Sequence, residues 1–218
     1  MISALIFDLD GVLADTPGVY FTLIRDFLKS KGFTYTEEQF SEQIGVPFRI
    51  KAASLNKKFG ADIPYEEYQR AVKAKSLEIF GRSLKPAPGL LDLLKMLKKN
   101  SIRVAVATNN SEESTTKILN ILGLRGSFEA VIHFGMVSKP KPEPDVYLAA
   151  AKALGLPAGE CCAVEDTALG IKAAKAAGMR CIAIPSPLDL HGDFSIADAK
   201  VSKLSEINMK LLNRLGEN

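Results

Sequence analysis

The chain has 218 residues, 47% of them hydrophobic and 24% charged, enough to bury a substantial core in one large domain or in a domain with a smaller companion. Its net charge of +3 is spread along the chain, and the densest basic pairs, Lys57-Lys58 and Lys98-Lys99, fall in helix-like stretches, so neither nucleic-acid binding by charge nor, with no long apolar run, a membrane span is expected. The first ten residues lack the basic region of a signal peptide, and Cys161, Cys162 and Cys181 lie in apolar runs without disulfide or metal spacing, which suits reduced thiols in a cytoplasmic protein.

A short apolar run, residues 3–7, opens the chain and ends in Asp8. Residues 16–84 then show helical patterns at 19–31, 37–44, 48–59 and 65–80, and no strand. Pro17-Gly18 and the Pro86-Ala87-Pro88-Gly89 stretch mark its two ends. Beyond it, strand-like runs at 102–107, 130–134, 161–164 and 180–184 alternate with helical patterns at 90–99, 111–122, 145–154 and 167–177. The runs are short, apolar and not cleanly alternating, as strands buried on both faces of a parallel sheet read. Gly123, Gly155 and Gly178 stand where a left-handed residue closes a helix. The expectation is an α/β fold: a doubly wound parallel-sheet core, residues 1–15 and 85–218, interrupted by an all-helical insert, residues 16–84. The end, residues 214–218, is expected to fray.

Four stretches could carry chemistry, and all fall at predicted carboxyl ends of strands, the edge at which open α/β sheets bind ligands. Asp8 and Asp10 are two apart and would emerge together from the first strand, with Gly11 permitting a reversal. A turn cap and a solvated acid account equally well for that pair alone; if both are ionised and close, a cation resolves the repulsion. Thr108-Asn109-Asn110-Ser111 could cradle a phosphate at a helix start, although an ordinary N-cap by Asn110 or Ser111 is the better reading of that stretch alone. In Lys139-Pro140-Lys141-Pro142 the prolines hold the chain extended, so Lys141 is presented from a stiff loop, while Lys139 reads as solvated. Glu165-Asp166-Thr167 offers two acids for a hard oxygen site, or a cap by Asp166 or Thr167.

Together these stretches resemble the haloacid dehalogenase-like superfamily over nearly the whole chain. Asp8-Leu9-Asp10-Gly11-Val12-Leu13-Ala14-Asp15 resembles its first motif, Thr108 its second, Lys141-Pro142-Glu143-Pro144-Asp145 its third, and Glu165-Asp166-Thr167 with the following Gly170-Ile171 its fourth. The insert after the first motif is similar to the helical-cap subgroup, which includes phosphoglycolate and sugar-phosphate phosphatases and β-phosphoglucomutase. The resemblance implies roles. Asp8 is the nucleophile that becomes an aspartyl phosphate, and Asp10 is the acid/base. Thr108 and the Asn109 amide hold phosphoryl oxygens, and Lys141 orders the nucleophile. Mg²⁺ sits on Asp8, the Asp10 carbonyl, Asp166 and Glu165. The implied activity is hydrolysis of a small phosphorylated metabolite, a sugar phosphate, with Tyr20, Arg49 and Lys73 or Lys75 of the cap setting specificity. Asp10 argues against carbon–halogen cleavage. Tyr20 stands where mutases carry a histidine, which favours a phosphatase over a hexose-phosphate mutase. The intact acids and Lys141 argue against a silent binding module.

Overall fold

A computed structural model describes residues 1–217 and contains a six-stranded parallel sheet. The strands are β1 (Ala4–Phe7), β2 (Arg103–Ala107), β3 (Ala130–Ile132), β4 (Cys161–Glu165), β5 (Arg180–Ala183) and β6 (Ala199–Lys200), in the order β3-β2-β1-β4-β5-β6. The chain reverses its direction of growth across the sheet between β3 and β4, because β1 pairs with both β2 and β4 (Ala4 opposite Arg103 and Cys161). That switch point opens a crevice at the carboxyl edge.

Both faces of the sheet are covered, which is why its strands read as apolar runs. Leu5, Phe7, Val106, Cys162 and Val164 pack with the leucines of α6 (Leu90–Lys99) and with Ile118 and Leu119 of α7 (Glu112–Ile121). The alternate residues Ala4, Ile6, Ala105, Ala107 and Ala163 pack against α8 (Asp145–Ala153) and α9 (Ala168–Ala176). Alanines on both sides of this second layer let helix and sheet approach closely. Gly123, Gly155 and Gly178 have φ of 67°, 65° and 78°, the left-handed closures expected after α7, α8 and α9.

Between β1 and α6 the chain is helical: α1 (Pro17–Ser30), α2 (Glu37–Ser41), α3 (Phe48–Phe59), α4 (Tyr65–Tyr68) and α5 (Lys75–Ser83). Leu23, Ile24, Leu28, Phe40, Leu55, Tyr68 and Val72 form a separate apolar cluster there. The pattern at 65–80 is not one α-helix, since a π-helical turn, Gln69–Ala74, separates α4 from α5. The strand expected at 130–134 stops at Ile132 and gives way to a 3-10 turn, Phe134–Met136. The last turn of the chain is not frayed through Glu217: α10 (Met209–Glu217) buries Leu212 and Leu215 against the first layer. Residue 218 lies outside the described residues. No helix among the described residues is long and apolar enough to cross a membrane.

Candidate active site

The site is built from strand ends. Asp8 continues the β1 ladder by one residue, its N–H donating to the Val164 carbonyl at 2.9 Å. The chain then reverses at Gly11, where φ is 76° and a Cβ would lie 1.9 Å from Asp166 Oδ2, so any side chain would collide with the acid. Across the switch point, β4 ends in Glu165, and Asp166 follows. Thr167 caps α9, its hydroxyl accepting from the Gly170 N–H. Ser111 likewise caps α7, accepting from Ser114. The capping readings of both stretches hold, yet they leave Thr108 and Asp166 free to face the crevice.

Lys141 is the centre of charge. Its ammonium donates to Asp8 Oδ1 at 2.5 Å, Glu165 Oε1 at 2.6 Å and the Ala107 carbonyl at 2.9 Å. Burial opposes the charge, but Asp8 and Glu165 outweigh it and hold the lysine protonated. Lys139, in contrast, is exposed. Glu165 also accepts from the Tyr147 hydroxyl at 2.5 Å, so one of its oxygens is shared by two donors. Burial pushes the Asp8 carboxyl up to about 8; Lys141 opposes the rise, while Glu165 and Asp10 add to it. Burial raises Asp166 strongly as well, reinforced by Asp8 and Glu165.

These acids lack enough positive charge. Asp8, Glu165 and Asp166 each bring a carboxylate oxygen within 4.8 Å of the others, and Asp166 Oδ2 is buried without a hydrogen-bond partner. A buried orphan oxygen is costly unless a cation or donor meets it. The donor set is all oxygen, which fits a hard divalent metal. The Asp10 side chain is not part of this cluster. Asn110 Nδ2 donates to its Oδ2 at 2.6 Å, and the Thr16 hydroxyl donates to its Oδ1. Any contribution of Asp10 to a metal is therefore left to its main-chain carbonyl.

Above the acids lies a cavity walled by the helical insert, with Tyr20, Ile24, Phe40, Phe48, Lys51 and Lys73 on that side. Asp8, Asp10, Thr108, Asn109, Lys141 and Asp166 form its floor. Glu165 is fully buried and does not line the cavity. A family profile described as haloacid dehalogenase-like hydrolase matches residues 5–184. The chain belongs to that family. The phosphorylated carbohydrates phosphatase of Thermotoga maritima is 31% identical over 176 residues, 81% of this chain and 82% of that protein. The beta-phosphoglucomutase of Bacillus subtilis is 29% identical over 230 residues, 96% of this chain and 93% of the relative. The crystal structure of CbbY from Rhodobacter sphaeroides in complex with phosphate superposes with a TM-score of 0.87 at 27% identity, covering 98% of this chain and 100% of that one.

Two of the specificity candidates in the helical insert are not in the cavity wall. Arg49 is exposed and its guanidinium stacks 4.8 Å over Tyr65; Lys75 is exposed on α5. The helix presents Lys51, two residues further along α3, in place of Arg49. Lys51 and Asn110 were missed in the sequence. The apolar neighbours of Lys51, Ile50 and Ala52, gave no sign of which face would be buried. For Asn110 the sequence offers a possible phosphate cradle or an N-cap, and no sign that its amide would meet Asp10.

Proposed function

We propose that this protein is a Mg²⁺-dependent phosphatase acting on a small phosphorylated metabolite, a sugar phosphate, in the cytoplasm. The observation that carries the reading is Lys141 bridging Asp8 and Glu165 beside the orphan oxygen of Asp166, at the floor of a cavity. The T. maritima and B. subtilis relatives carry names for sugar-phosphate chemistry, which supports the substrate class. The three buried thiols suit a reducing compartment.

In this reading an Asp8 carboxylate oxygen attacks phosphorus, the bond from phosphorus to the leaving oxygen breaks, and Asp10 gives that oxygen its proton. Asp10, now a carboxylate, takes a proton from water as that water attacks the aspartyl phosphate, which frees Asp8 and inorganic phosphate. Thr16 and Asn110 hold Asp10 by both oxygens. Lys141 keeps Asp8 oriented and screens the incoming phosphoryl group, while Thr108 and the following amide receive its oxygens. Asp8, Glu165 and Asp166, with the Asp10 main-chain carbonyl, would hold Mg²⁺, which would supply the further positive charge that lets one anion attack another. Residues 16–84 act as a cap that closes over the core, residues 1–15 and 85–218, and keeps water away during the first transfer. Tyr20 supports hydrolysis over mutase chemistry: burial, reinforced by the charge of Asp10, raises its pKa, so it stays neutral. The test is a screen of phosphorylated metabolites with Mg²⁺. Release of free phosphate from a sugar phosphate is expected; glucose 1-phosphate converted to glucose 6-phosphate without release would favour the mutase.

A further inference from the structure

The side-chain amide of Asn109 lies where three parts of the chain meet. Its Oδ1 accepts from the Lys141 N–H at 3.0 Å, and its Nδ2 reaches the Lys141 carbonyl at 3.4 Å. The same Nδ2 donates to the carbonyl of Gly45, in the turn between α2 and α3, at 2.8 Å. A primary amide has one acceptor and two donor hydrogens, so all three contacts are within its capacity. Lys141 in turn sets its ammonium on Asp8 at 2.5 Å. Other hydrogen bonds tie the helical segment to the core elsewhere. Lys73 Nζ donates to Ser111 Oγ at 3.0 Å, and the Leu190 N–H donates to Ser41 Oγ at 2.9 Å. Neither Ser111 nor Leu190 bonds to Asp8 or Lys141. Asn109 does both jobs: one end of its amide is on the cap and the other is on the main chain of the lysine that orients the nucleophile.

We propose that Asn109 is a positioning residue that couples cap closure to the placement of Lys141. The proposal rests on the phosphatase reading above. With the Gly45 turn docked, the amide is fixed at both ends, and the Lys141 main chain is fixed with it. When the cap lifts, Nδ2 loses its shorter acceptor, the amide can turn, and the anchor of Lys141 loosens. The catalytic lysine is then fully seated only when the cap is closed. A leaving group large enough to cover the aromatic wall of Tyr20, Phe40 and Phe48 keeps the cap down and gains from this link; a small one does not.

The experiment compares wild type, Asn109→Ala and Asn109→Asp on two probes with Mg²⁺: p-nitrophenyl phosphate, which brings an aromatic ring to meet that wall, and acetyl phosphate, whose two-carbon acyl group is too small to cover it. Hydrogen exchange of the resting proteins is followed in segments 43–48 and 139–143. Loss of one such hydrogen bond is expected to lower kcat about tenfold more on p-nitrophenyl phosphate than on acetyl phosphate. The ratio between probes cancels any general damage to the site. Asn109→Asp keeps the acceptor for Lys141 but cannot donate to Gly45, so it should shift the ratio as Asn109→Ala does, and exchange should rise in both segments. Equal losses on both probes, an unchanged ratio in Asn109→Asp, or exchange that rises in one segment alone would overturn the proposal. If wild type turns over neither probe, the phosphatase reading fails, and the exchange data still decide whether Asn109 links the two segments.

Discussion

Lys51 shows how a single side chain can record what a cavity is for. It is 8% exposed, and its ammonium lies 4.7 Å above the Phe40 ring, with no ion pair to a carboxylate among the described residues. Burial lowers its pKa to about 8 from 10.5, while Asp10 opposes the fall. Between about pH 8 and 10.5 the unfolded chain therefore binds the extra proton, and this group makes stability rise with pH across that window. Lys51→Met keeps the stem and removes the charge. At pH 7 it is expected to be more stable by roughly 1–3 kcal/mol, because a buried, unpaired ammonium is costly. The gap should narrow above pH 8 and close only as pH rises through about 10.5, as read by urea unfolding. In the wild type, KM for an anionic substrate should climb above pH 8 as the ammonium is lost; a KM flat from pH 7 to 9.5 would remove Lys51 from the binding site.

At the scale of elements, the turns that follow β1 and β4 carry the site, and glycine decides how closely they approach. Gly170, in the first turn of α9, faces the Glu165 carboxylate so directly that a Cβ would lie 2.0 Å from its atoms. Gly170→Ala must push Glu165 away from Lys141 and Tyr147 or tilt α9. A loss of about 2–3 kcal/mol is expected, although alanine is the better helix former. Thermal unfolding beside an Ala-for-Gly exchange at Gly126, where nothing lies within 4 Å of a Cβ, separates collision from a general effect of the residue type. The strand-to-loop pattern of these elements was legible because buried strands are short apolar runs punctuated by acids and threonine. The two residues of β6 contain no such run, and α10 was hidden by the charged residues around Leu212 and Leu215.

Over the whole molecule, the sequence was sufficient for the parallel sheet and for the gathering of Asp8, Thr108, Lys141 and Asp166 at one edge, since strand order and the rule of carboxyl-edge sites lead there without side-chain detail. It could not distinguish Arg49 from Lys51. That choice depends on how α3 is rotated against α1 and α2, and the helical periodicity of this segment does not specify it. Nor could it show that Asp10 turns to Thr16 and Asn110 while Glu165 turns to Lys141 and Tyr147. The surplus of acids makes a global prediction about metal. Mg²⁺ should raise the melting temperature, by an amount that grows with its concentration as binding to the native state alone requires. In Asp166→Ala, which removes the orphan oxygen, the metal-free protein should be at least as stable as wild type and the Mg²⁺ response largely lost. A full response in that variant would place the ion elsewhere.

The proposed reaction turns on the covalent role of Asp8. Wild type and Asp8→Asn are mixed with acetyl phosphate labelled in its phosphoryl group, in the presence of Mg²⁺, and quenched rapidly in acid. The peptide that retains label is then sequenced. Label on Asp8 of the wild type should build up and decay as phosphate is released. Asp8→Asn should fold, carry no label and turn over more slowly by roughly three orders of magnitude or more. Label on another residue, or turnover by Asp8→Asn at the wild-type rate, would rule out a covalent Asp8.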